Sequence, residues 1–151
     1  MARLALHDSR SKRAGIIARH SVANVERRAP LDANALACCL FVRDWLRYAR
    51  ELPETIADLG ALRRVPVGDC DDMVVALSSL LYRLGYSWPK QRYGIGYKGR
   101  SPVHVWNEVL GENHRWIPLD AATFKLEPGQ SPARVGGFTS IRHFNVAGLL
   151  R

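Results

Sequence analysis

Between Asp69 and Gly85 the apolar residues recur with a helical period, and beyond Gly85 the period drops to two. Met73, Leu77, Leu80 and Leu84 stand at i, i+4, i+7 and i+11, with Val74 and Leu81 beside them, so one helix face is apolar. Gly85 is a C-terminal stop, because glycine takes the left-handed conformation without steric cost. In "RYGIGYK", Tyr93, Ile95 and Tyr97 then alternate with Gly94 and Gly96. A strand with a bare glycine face lets another element approach closely. "PVHVWNEVL" alternates again, with Val103, Val105 and Val109 on one side and His104, Trp106 and Glu108 on the other. "RWIPLDAA" reads as a third strand and "GGFTSIRHFNV" as a last one. Upstream, "LDANALACCLFVRDWLRYAREL" reads as a helix that Asp32 or Asn34 can cap and Pro53 ends. Phe41, Val42, Trp45, Ala49 and Leu52 would face the core, and Arg43, Arg47 and Arg50 a solvated side. "ETIADLGALRRVPVG" connects the two helices, with one short helical turn. Helices first and strands after predict an α+β fold, with helices packed on an antiparallel sheet.

The 151 residues suit one domain, and a hydrophobic fraction of 47% suits an ordinary core. No apolar run approaches a membrane span, and "MARLALHDSRSKRAGIIARH" lacks an apolar stretch of signal-peptide length. The expectation is a soluble chain, cytoplasmic or within a phage virion, with no membrane partner. The formal charge is +8, and it is uneven. Residues 1–30 hold Arg3, Arg10, Lys12, Arg13, Arg19, Arg27 and Arg28 against Asp8 and Glu26, which reads as a solvated, partly helical basic arm. No nucleic-acid motif accompanies it, so nucleic acid is not the expected partner. Three expected segments follow: the arm at 1–30, a core at 31–122, and a Gly-, Pro- and Arg-rich tail at 123–151 that can complete the sheet.

The chain has three cysteines, an odd number and no disulfide framework. Cys38 and Cys39 adjoin inside an apolar helical pattern and read as small core residues. Cys70 is different. Asp69 can cap the helix and so place Cys70 in its first turn, where free N–H groups and the positive end of the dipole favour an anion. Thiols there can have pKa values lowered into roughly the 3.5–7.5 range. Asp71 and Asp72 oppose a thiolate, or simply suit the helix start, so a base is needed.

The strands supply one. With a three-residue loop of Gly111, Glu112 and Asn113 in "LGENHR", Glu108 pairs with Trp116, Trp106 with Pro118, and His104 with Asp120. His104 and Asp120 then share one face directly opposite each other, with Cβ atoms about 5 Å apart. A carboxylate beside an imidazole fixes its tautomer and stabilises the imidazolium. Cys70, His104 and Asp120 together make a nucleophile, a base and an orienter.

"GDCDDMVVALSSLLYRLGY", "HVWNEV" and "RWIPLDAA" resemble the transglutaminase-like superfamily, whose pattern is a Gly-x-Cys at a helix start, a His followed by an aromatic in a strand, and a Trp-x-x-Leu-Asp ending the next strand. The resemblance covers residues 67–122. It implies a papain-like core in which the Cys helix packs against an antiparallel sheet, with Cys70 as nucleophile, His104 as base and Asp120 as orienter. It also implies acyl chemistry on amide bonds of a peptide or protein. The "GDCDD" form is similar to compact bacterial and phage members rather than to the animal crosslinking enzymes, which favours protease or amidase action over crosslinking. No side chain is assigned to the oxyanion hole; Trp45, Trp88 and Tyr93 are candidates.

Other readings use the same residues. Zinc could take Cys70, His104 and Asp120 with Asp71 or Asp72, but no paired-ligand spacing is present. Calcium at "DCDD" lacks the glycine and distal glutamate of a calcium hand. No cofactor is expected. Glu108 could join His104 as an acid–base pair; His7, His20, His114 and His143 read as surface residues without partners. The rival class is a structural or assembly protein of a phage particle that retains the fold and self-assembles, or joins phage structural proteins, through its termini.

Overall fold

A computed structural model describes residues 1–26, 29–49 and 55–151. Its centre is helix α5 (Cys70–Arg83). Asp69 caps it: its carboxylate accepts the Asp71 N–H, and Asp72 returns the bond by accepting the Asp69 N–H at 3.0 Å. This reciprocal capping box satisfies N–H groups that would otherwise be unpaired at the helix start. Every residue from Asp72 to Leu81 is buried, so the helix is covered well beyond its apolar stripe. Gly85 follows with φ of +103° and ends the helix as expected.

Helices α1 (Ala2–Ser9), α2 (Lys12–Ser21) and α3 (Leu31–Trp45) pack around α5. Residues 2–21, expected as a solvated arm, are therefore part of the fold. Ala2, Ala5, Ala14 and Ala18 are buried, and Asp8 accepts the Leu59 N–H at 2.9 Å. In α3 the helix ends at Trp45, earlier than expected, and neither Asp32 nor Asn34 caps it; its N-cap is Pro30. Val42 is buried and Phe41 and Trp45 are partly so. Ala49 lies past the helix end, and Arg50, Leu52 and Pro53 lie outside the described residues. The connector holds α4 (Leu59–Arg64), capped by Asp58, and a parallel pair of β1 (Arg47–Tyr48) with β2 (Val67–Gly68).

The sheet comprises β3 (Gln91–Lys98), β4 (Ser101–Leu110), β5 (Trp116–Leu119) and β6 (Ser140–Asn145), all antiparallel in the order β5-β4-β3-β6. β6 comes from the tail and completes the sheet at its β3 edge; helix α6 (Val146–Leu149) follows it. α5 packs against β4. One core cluster joins Met73, Leu77, Leu80 and Leu81 to Val42, Val109 and Leu119; a second joins Val74 to Tyr93, Val105 and Val146. The glycine face of β3 is occupied as anticipated. A Cβ on Gly94 would overlap the Trp106 indole, and one on Gly96 would come within 2.6 Å of the Phe138 ring.

The β4–β5 hairpin has a different turn from the one expected. Gly111 N–H donates to Arg115 O at 2.9 Å, so the three loop residues are Glu112, Asn113 and His114. His114, not Asn113, takes the left-handed position, with φ of 58°. Leu110 therefore faces Trp116, and Glu108 faces Pro118.

Candidate active site

Cys70 is the first residue of α5 and is partly buried. Its surroundings differ from those of the other two thiols. Cys38 and Cys39 are fully buried core residues, as expected. Burial pushes the Cys38 thiol up to about 12, against a smaller lowering from Ser21, and burial raises Cys39 as well.

His104 projects from β4 where the ladder is irregular. Gly96 pairs with His104 but Tyr97 with Pro102, so Val103 is an extra residue beside it. Bulges of this kind re-aim neighbouring side chains. The shifted hairpin means that His104 and Asp120 are not directly opposite, because the β4–β5 ladder ends at Asn107 and Leu119. Asp120 sits just beyond the strand on the diagonal from His104. The shift is two residues, so both side chains stay on the same face. His104 Nε2 lies 2.8 Å from Asp120 Oδ2. Asp120 is 2% exposed, and its other oxygen accepts the N–H groups of Ala122 and Thr123 at 3.0 and 3.2 Å. The carboxylate is thus fixed by its own turn.

Burial is the strongest influence on His104 and acts to lower its pKa. Asp120, to which the imidazole is bonded, and the neighbouring Cys70 outweigh it and raise the pKa from 6.5 to about 9. Of the three residues expected to meet, His104 and Asp120 are in direct contact, and Cys70 and Asp120 line one small cavity with Trp106.

Further residues support the group. Arg43, expected in solvent, is buried and donates to the Asp120 backbone carbonyl at 2.8 Å. Trp106 and Phe138 stack with the His104 ring, at 6.0 and 6.2 Å between centroids, and with each other at 5.9 Å. Thr123 Oγ1 is 3.5 Å from His104 Nε2. Sequence signals existed for two of these: the aromatic after the strand histidine, and the bare glycine face that receives Phe138. Glu108 does not join His104. It is buried, accepts from Arg92 at 2.6 Å and from Trp106 Nε1 at 2.9 Å, and lies 3.3 Å from His143. His143 thus has a partner, as do His7, 3.5 Å from Asp8, and His20, edge-on to Phe41. Of the oxyanion candidates, Trp45 packs on Phe41 and Trp88 stacks on Tyr82. Tyr93 accepts from Ser78 at 3.3 Å. Trp88 and Tyr93 share the second apolar cluster with Cys70.

The acidic residues around Cys70 do not form a cation cage. Asp69 is used as the cap, and Asp72 accepts backbone N–H groups from Ala57 and Asp69. Among the described residues no group of three or more His, Cys, Asp and Glu has metal-binding geometry. Also among them, no helix is long and apolar enough to cross a membrane.

Solved structures share this architecture. A candidate cysteine protease from Cytophaga hutchinsonii superposes with a TM-score of 0.60 at 16% identity, over 91% of this chain and 48% of that one. A candidate protease from Parabacteroides distasonis gives 0.56 at 10% identity, over 87% and 30%. Calcium-bound LapG from Legionella pneumophila gives 0.57 at 13% identity, over 91% and 77%. The chain spans about half or less of the first two proteins. At these identities the likeness concerns the fold. No curated protein matches the chain. Residues 17–121 match the model of the transglutaminase-like superfamily, which is more than half of the sequence, and the papain-like arrangement of α5 on the antiparallel sheet agrees with it: the chain belongs to the transglutaminase-like superfamily.

Proposed function

We propose that the protein is a thiol hydrolase that cleaves amide bonds in a peptide or protein, with Cys70 as nucleophile, His104 as general base and acid, and Asp120 as orienter. The observation that carries this reading is the 2.8 Å contact of His104 Nε2 with the buried Asp120 carboxylate, whose residue lines one small cavity together with Cys70. With Nε2 committed to Asp120, Nδ1 is the nitrogen left for the sulfur. His104 takes the Cys70 proton, and the sulfur attacks the carbonyl carbon of the amide. The tetrahedral oxyanion forms beside the start of α5, where the helix dipole favours negative charge. The C–N bond breaks, the leaving amine takes the proton from His104, and a thioester remains on Cys70. Water, deprotonated by His104, then hydrolyses the thioester and restores the thiol. A raised histidine pKa suits this cycle, because the imidazolium must persist until the amine leaves.

The fold relatives described as proteases agree in reaction class. The test is alkylation by iodoacetamide at neutral pH, with the modified cysteine identified by mass spectrometry. Cys70 is expected to react faster in the folded protein than any of the three thiols in the unfolded chain, and His104→Ala is expected to slow it by about tenfold or more. If folding gives Cys70 no advantage and His104→Ala changes nothing, the reading fails.

A further inference from the structure

A cavity of about 300 Å³ opens on His104. Val103, Val135 and Phe138 line it together with Lys98 and Lys125. Val103 and Val135 are 45% and 50% exposed, so apolar surface stands open to solvent there. Among the described residues no Asp or Glu lines the cavity, whereas two lysines do. The cavity touches His104 and Thr123 but not Cys70.

We propose that this cavity, beside His104, binds a substrate residue that carries a carboxylate on an apolar stem. The stem covers Val103, Val135 and Phe138, and the carboxylate lies with Lys98 and Lys125. This inference rests on the thiol-hydrolase reading for the cavity's role as part of a substrate site. The charge preference itself can be measured without turnover.

The experiment uses Cys70→Ala protein, which cannot cleave, and two pools of acetylated, amidated, fluorescently tagged peptides. The pools differ only in having Glu or Gln scanned through each position, and binding is read by anisotropy. The Glu pool is expected to bind about fivefold tighter or more at low salt, from two surface charge pairs, and to lose that advantage as salt rises. Replacing Lys98→Glu and Lys125→Glu together is expected to abolish the preference. The same charge change on α2, Lys12→Glu with Arg13→Glu, is expected to keep it, which separates the cavity from the net charge of the chain. Equal binding of the two pools overturns the proposal, as does a preference that the α2 variant loses and the cavity variant keeps. Alkylation of Cys70 in the unaltered chain reports separately on the thiol reading. Rapid alkylation with no Glu preference sinks the cavity alone, and a Glu preference with an inert Cys70 sinks the chemistry alone.

Discussion

His104 Nε2 stands 2.8 Å from Asp120 Oδ2, although the two residues are diagonal neighbours and not cross-strand partners. The diagonal reach is long, and it is fixed at both ends. On one side the bulge at Val103 aims the imidazole; on the other the Ala122 and Thr123 N–H groups hold the carboxylate. The arrangement is preorganised, so under the proposed chemistry the orientation of His104 costs nothing at the moment of reaction.

Asp120→Asn separates the charge of this partner from its shape. The amide oxygen still accepts the Ala122 and Thr123 N–H groups, so the turn survives. The anion facing Nε2 is gone. The His104 pKa is expected to fall from about 9 toward 6.5, read by NMR titration of the ring protons. Cys70 alkylation at neutral pH is expected to slow by about tenfold or more. A titration that stays near 9 in the variant removes Asp120 as the source of the shift.

The same raised pKa links stability to pH. His104 binds its proton more tightly folded, near 9, than its ordinary 6.5 allows. The resulting stabilisation is complete below 6.5 and is lost as pH rises through 9. Its size is on the order of 1–3 kcal/mol for a mostly buried group of this kind. Urea denaturation of the wild type is expected to show this loss across the window, and His104→Gln is expected to flatten it. Equal pH slopes in the two proteins would contradict the linkage.

How much of this was legible beforehand follows from what each signal encodes. The Asp69–Gly85 helix was readable because capping residues, apolar spacing and a stop glycine agree. The hairpin shows a subtler case. The expected loop had the right length but lay one residue early, since either Asn113 or His114 can take the left-handed position. An error of one residue in loop centre moves the register by two, and a two-residue slip keeps every side chain on its face. His104 and Asp120 therefore still met, through a diagonal and not a direct pair. The packing of the N-terminal helices into the fold was missed because their buried faces are made largely of Ala2, Ala5, Ala14 and Ala18. Alanine buries little area, so close helix packing leaves no apolar stripe to read among the arginines. With these helices packed on α5, the free arm that motivated contacts with assembly partners is absent from residues 2–21. Arg43 was unreadable for another reason: a guanidinium at a solvent-like position gives no sign that a backbone carbonyl awaits it across the core.

The aromatic stack gives a test of packing against positioning. Gly94→Ala would drive a methyl into the Trp106 indole. Relief requires moving either the strand or the ring, so a loss of about 1–3 kcal/mol is expected from overpacking, measured as a lower urea midpoint. Phe138→Ala removes one ring that stacks on His104. Phe138 is only partly buried, so a smaller stability loss is expected than for Gly94→Ala. Cys70 alkylation should slow in the Phe138 variant at temperatures where it remains folded, as the imidazole gains freedom. Unchanged alkylation in folded Phe138→Ala would show that the stack does not position His104.

Arg43 touches the site through the Asp120 main-chain carbonyl, 2.8 Å from its guanidinium. Arg43→Ala leaves that carbonyl without its donor inside the protein, and the loss is expected to be about 1–3 kcal/mol. If the guanidinium only fills space, nothing further changes. If it holds the Asp120 turn against His104, the His104 titration also shifts down from about 9. Arg43→Lys should recover part of the shift, since an ammonium can still donate to the carbonyl but lacks the reach and fork of the guanidinium. Stability loss with an unmoved His104 titration would make Arg43 structural. A joint loss, partly rescued by lysine, assigns it to orienting the carboxylate.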